Sequence, residues 1–137
     1  MVVDKKRKNN SEKRIRRKTY IRKNRTYVEI TKYISQDTGA SIVEMDTVEG
    51  IKGGKVLLTL LFRKTNCMLI FLIEKKTMSC VTEIFSKIKI NLGSNNYKNL
   101  FEVVLADNGS EFFNPDGIEK YKDDKICNVF YCDPAAS

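Results

Sequence analysis

The spacing of apolar positions changes repeatedly along this chain, and each change marks an element. Tyr27, Ile30, Tyr33 and Ile34 recur at helical spacing, and Thr26 followed by Glu29 has the form of a capping box, so a short helix is predicted over 26–35. From residue 41 the pattern becomes that of strands. "SIVEMDTVEG" reads as a strand ending near Gly50, and Gly53–Gly54 marks a turn. Runs 55–63 and 67–74 are rich in β-branched, aromatic and aliphatic residues and are separated by "KTN", which predicts an antiparallel hairpin. Their nearly continuous apolar character predicts a sheet covered on both faces.

The period then switches again. Val81, Ile84, Phe85, Ile88 and Leu92 form the apolar stripe of an amphipathic helix, with Thr77 or Ser79 to cap its start and Gly93 to end it. A loop over 94–99 leads to a strand at "LFEVVLA", followed by an irregular or weakly helical segment to about residue 125. A last strand, "ICNVFYC", is closed by Asp133–Pro134. The order β-β-β-α-β-(α)-β is an α/β layer arrangement. The helix between the third and fourth strands must cross over, so the fourth can lie parallel to the first. Ligand sites in open α/β sheets favour the carboxyl ends of strands at such a switch point. Asp46, toward the end of the first strand, and Asp107, at the end of the fourth, are therefore expected to converge.

Charge changes the picture at the N-terminus. The 137-residue chain has a net charge of +8, yet residues 1–40 alone carry +9 and the remainder −1. Residues 5–25 contain twelve Lys or Arg with few apolar residues between them, too few to build a core. A basic arm of this kind attracts polyanions, and nucleic acid is the commonest. Three regions follow: a basic arm over 1–25, a short helix and linker over 26–40, and an α/β core from 41 to 137. Within the arm, Arg14, Arg16, Arg17, Lys18, Arg22, Lys23 and Arg25 are the expected nucleic-acid contacts. The four cysteines include no C-x-x-C pair, and the chain has no histidine, which removes Ser-His-Asp and Cys-His mechanisms and leaves carboxylates, lysines or metals to carry any catalysis. No apolar run approaches the roughly 20 residues of a membrane span, and the polar N-terminus lacks a secretory signal, so the chain is expected to be cytoplasmic.

"EMDTVEG", "LADNGSEF" and "FYCDP", in that order, resemble the catalytic core of DDE transposases and retroviral-type integrases, closest to bacterial transposases of the insertion sequence 30 type. The resemblance spans residues 41–137, and "DNGSEF" is its most specific part; the arm matches in composition only. It implies a ribonuclease H-like five-stranded mixed sheet with flanking helices, and metal-dependent DNA cleavage and strand transfer. It further implies Mg2+ (or Mn2+) held by Asp46 and Asp107 as metal-binding and catalytic acids, transposon ends and target DNA as partners and as the nucleic acid that the arm contacts, a possible homo-oligomer, and a nucleoid-associated location. Magnesium takes hard oxygen ligands, and two-metal phosphoryl transfer needs several converging carboxylates. The family's third acid, a glutamate on a helix after the last strand, has no counterpart before "DPAAS". The chain is thus expected to be a core fragment truncated before the last helix and inactive alone.

Each residue also has a plainer reading. Asp107-Asn108-Gly109 is a common hairpin turn, and Asn108 is balanced between touching DNA and merely adopting that turn. Glu111 is expected to cap or face solvent rather than to bind metal, and Glu44 to be a rim residue. Two other functions compete: a non-catalytic nucleic-acid-binding remnant using the arm alone, and a ribonuclease H-like nuclease acting on RNA–DNA hybrids or junctions.

Overall fold

In the computed structural model, residues 23, 25–36 and 39–132 are described. Five strands form one mixed sheet: β1 (Ile42–Glu49), β2 (Val56–Phe62), β3 (Cys67–Ile73), β4 (Val103–Ala106) and β7 (Asn128–Tyr131), in the order β3-β2-β1-β4-β7. β1, β2 and β3 form an antiparallel meander, whereas β1–β4 and β4–β7 are parallel. The predicted α/β class and five-stranded mixed sheet are therefore present, and the strand order is compatible with a ribonuclease H-like arrangement. β5 (Lys120–Tyr121) and β6 (Asp124–Lys125) make a small separate hairpin, turned at Lys122 with φ of 58°.

Alternation along the strands sends side chains to two different cores. Val43, Met45, Leu58, Leu60, Val104 and Val129 face the long helix α2 (Met78–Leu100), together with its Val81, Phe85, Ile88 and Tyr97. Aromatic rings close this core: Tyr97 stacks on Phe101 at 4.8 Å, and Phe85 and Phe62 meet Phe101 edge-on. On the other face, Ile30, Tyr33 and Ile34 of helix α1 (Tyr27–Gln36) cover Ile42, Val103, Leu105 and Phe130.

Two sequence expectations are corrected. Residues 94–99 are not a loop; Gly93 does break the helical backbone, as expected, but only as a kink between two helical segments. Gly93 takes φ of 78°, where a residue without Cβ bends the chain at no steric cost, and a second helical segment continues to Leu100. The polar run "GSNNYKNL" hides its anchor, because the single Tyr97 is fully buried and fixes the segment against the core. Thr77 is the cap at the other end, its Oγ1 accepting from the Cys80 amide. The second correction concerns the sheet, which is not covered on both faces. Helix α1 reaches only β1, β4 and β7, so among the described residues Leu57, Met68, Ile70 and Leu72 remain exposed on the β2–β3 half, with Leu72 at 60%, and Val48 near the end of β1 is exposed beside them.

After β4 the chain forms a 3-10 turn (Ser110–Phe112) and a short helix α3 (Pro115–Glu119), in the segment expected to be weakly helical. α3 sits tightly on α2. A Cβ at Gly117 would lie 2.5 Å from Thr82 Cγ2, and the Thr82 hydroxyl is already bonded to Met78 O.

Candidate functional site

The register of the two central parallel strands sets the geometry. The β1–β4 ladder runs from Ile42↔Val103 to Met45↔Ala106, so Asp46 and Asp107 each follow the last pair by one residue. In a parallel ladder, residues at one level share a face, and here it is the face opposite α2. Both aspartates line one cleft of about 330 Å³ together with Glu44, Thr59, Met68 and Cys132. β1 continues past this point, pairing with β2 as far as Glu49↔Val56, so Asp46 stands in mid-strand and Asp107 on a turn.

Both carboxylates have local tasks. Asp107 Oδ1 accepts from the Gly109 amide at 2.8 Å, which makes the Asp-Asn-Gly turn self-capping. Asp46, exposed, accepts from the Thr47 amide at 2.8 Å. Each bond engages one oxygen, and among the described residues the other carboxylate oxygen takes no hydrogen bond. Glu44 is held at the rim by Arg63 at 2.9 Å, as a rim residue should be.

The third nearby acid differs from its expectation. Glu111 neither caps nor faces solvent: it is buried, accepts from Thr47 Oγ1 at 2.9 Å and lies 3.8 Å from Lys76. Thr47 projects toward α2, so Glu111 is bound to the side of the sheet away from Asp46. The 3-10 turn tucks its carboxylate under Gly109, where a Cβ would meet both carboxylate oxygens at 2.6 Å. A Cβ at Gly109 would therefore have to displace the Glu111 carboxylate, although the φ of −65° is ordinary.

Asn108 turns inward. Its Nδ2 donates to Cys132 O at 2.9 Å, tying the turn to the end of β7, and its Oδ1 is buried with no partner among the described residues. Of the arm residues, Arg14, Arg16, Arg17, Lys18 and Arg22 lie outside the described residues, and Lys23 is exposed. Arg25 belongs to the fold. Its guanidinium donates to both oxygens of Glu119, through Nη1 and, at 2.8 Å, through Nη2, and Nη1 also reaches Val129 O at 3.1 Å. Its carbonyl accepts from the Tyr131 amide at 2.7 Å, so residue 25 lies along the outer edge of β7. The sequence carried one hint of this: Arg25 immediately precedes the helix signature that begins at Thr26.

Among the described residues, no three His, Cys, Asp or Glu side chains are gathered so as to hold a metal ion, and no helix is long and apolar enough to cross a membrane. The donor set at Asp46 and Asp107 is a pair of hard oxygen ligands. It suits one weakly held, largely hydrated divalent cation rather than the two-metal cluster of phosphoryl transfer. Compared with models of known protein families and with curated proteins, the chain matches none.

Proposed function

We propose that this chain carries the core of a DDE transposase- or integrase-type polynucleotidyl transferase, with Asp46 and Asp107 as two of its metal-binding acids. The observation that carries this reading is their placement: neighbouring parallel strands, one level, one face, one cleft, at the switch point of the sheet. When bound, magnesium would polarise a phosphoryl oxygen and lower the pKa of an attacking water. The chain's own part is to fix the two carboxylates, through the β1–β4 ladder and the Asp107–Gly109 bond.

Two carboxylates supply too little charge for a second metal, so residues 1–137 alone should show no measurable strand transfer. They should bind one divalent cation weakly. Titration with Mn2+ should broaden the amide resonances around residues 46 and 107 before any others, and Asp46→Asn or Asp107→Asn should abolish that broadening. Broadening elsewhere, or unchanged in both variants, would remove the metal from these acids.

The basic arm supports DNA as the partner. If about six phosphates are engaged, affinity should fall roughly a thousandfold between 50 and 200 mM salt and should show no sequence preference. Deleting residues 1–22, which leaves Arg25 in its ion pair, should remove most of that affinity; a salt-independent Kd would show that the arm is not the DNA contact.

A further inference from the structure

The face of the sheet opposite Asp46 holds a second concavity. A cleft of about 560 Å³ opens between α2 and residues 114–122, with Ser86, Lys89, Asn114, Lys120, Tyr121 and Lys122 on its walls. Lys89 is only 8% exposed. Its Nζ donates to Gly117 O at 2.6 Å and stands 5.5 Å from the centre of the Tyr97 ring. Both partners are neutral. Among the described residues no carboxylate lies within ion-pair distance of Lys89, an unusual state for a buried ammonium, since buried charges are normally paired. Burial accordingly lowers the Lys89 pKa, opposed only by Cys127.

The other walls add positive charge. Lys122 occupies the left-handed turn of the β5–β6 hairpin and has no ion pair among the described residues. Lys120 is loosely matched to Asp116 at 3.7 Å, with both side chains well exposed. Three ammonium groups thus meet one carboxylate around a cleft of a size that suits a small ligand. Asn114 offers a neutral hydrogen-bond donor and Tyr121 a ring, while the Ser86 hydroxyl is already donated to Thr82 O at 3.0 Å.

We propose that this cleft binds a phosphorylated small molecule of mononucleotide size, with Lys89 at its floor as counter-charge to the phosphate and Lys120 and Lys122 at its mouth. The structural reading of Lys89, a lysine stem filling space beside Tyr97, explains its packing but not why, among the described residues, an ammonium at the wall of a lysine-rimmed cleft has no carboxylate partner. The inference is independent of the metal reading, because it uses neither the aspartates nor the arm.

Residue-resolved NMR titration of the full chain, with inorganic pyrophosphate and separately with adenosine monophosphate, tests it. Saturable shifts should appear at residues 86–90 and 114–122. Lys89→Met, which keeps the aliphatic stem, should weaken binding roughly tenfold, the worth of a charged hydrogen bond. Lys122→Ser, a change at an exposed turn, should weaken it less, and Lys52→Ser in the β1–β2 loop should leave it unchanged. Equal affinity for the two probes would mark a phosphate-only site, and tighter binding of the nucleotide would mark a base contact at Tyr121; either supports the proposal. Shifts confined to other lysines, no saturation with either probe, or full affinity in a folded Lys89→Met protein would overturn it. Should Lys89→Met fail to fold, full affinity in Lys122→Ser would overturn it instead.

Discussion

Replacing Arg25 with alanine should cost about 3–5 kcal/mol of folding stability, the range for breaking a buried pair from one side. That is a large part of the roughly 5–15 kcal/mol that holds a domain folded. Glu119 is 1% exposed, and apart from Arg25 it has the Val129 amide at 2.8 Å and the Lys125 ammonium at 3.8 Å. Removing the guanidinium strips its bidentate partner and leaves a carboxylate inside the fold with an amide and one distant cation. Arg25 itself is held charged: burial works against its protonation, but the Glu119 hydrogen bond and charge outweigh that and raise its pKa. Denaturant unfolding measures the loss directly. Arg25→Met with Glu119→Leu should recover much of it, because an apolar pair leaves no orphaned charge. A loss below about 1 kcal/mol for Arg25→Ala, the worth of a surface pair, would mean that the contact is open to water.

A steep loss of stability above about pH 9 is the second large effect expected. Burial raises the Cys127 thiol from 9.0 to about 12 and raises the Tyr97 and Tyr131 phenols above their ordinary range. All three are neutral when protonated. Below their ordinary values the folded and unfolded chains hold the same protons, and these groups give no pH dependence. Above those values the unfolded chain ionises while the folded chain cannot, so each group costs roughly 1.4 kcal/mol per pH unit until its folded pKa is reached. The cause is structural: Tyr97 donates to Ile118 O and Tyr131 to Phe112 O, both at 2.6 Å and both inside the fold. The melting temperature should therefore fall progressively from pH 9 to 11, and Cys127→Ala should flatten the first part of that fall. A Tm constant to pH 11 would refute the burial of these groups.

The sequence was most informative where a pattern repeats. The meander, the α2 stripe and the short α1 each rest on several apolar residues at one period, and the structure has the meander strands, the start of α2 and both ends of α1 within a residue or two of where they are expected. It was least informative where one residue decides. Tyr97 converts a polar run into helix, and Gly93 permits the kink, yet a glycine among serines and asparagines reads as a stop. The uncovered β2–β3 face shows a limit of a different kind. Continuous apolar sequence reports that a strand is hydrophobic on both sides, not that something lies over both. At the candidate site, Asp46 and Asp107 could be read from strand ends and turn chemistry. The burial of Glu111 could not, because it depends on a 3-10 turn only three residues long. The Arg25–Glu119 pair spans 94 positions and leaves no periodic trace.

The sheet order also has a consequence for how the chain reaches this state. The meander from Ile42 to Ile73 closes through short loops, whereas β4 must lie beside β1 with 61 positions between paired residues, and β7 can add only once β4 is in place. Loop closure makes the antiparallel part the quicker to assemble and the central parallel pair the slower. Until β4 arrives, one edge of β1 has no partner, and the backbone groups of Ile42–Met45 are open to any passing strand. The two aspartates come to lie beside each other only when β4 pairs with β1, so the site is assembled by the same step that closes this open edge.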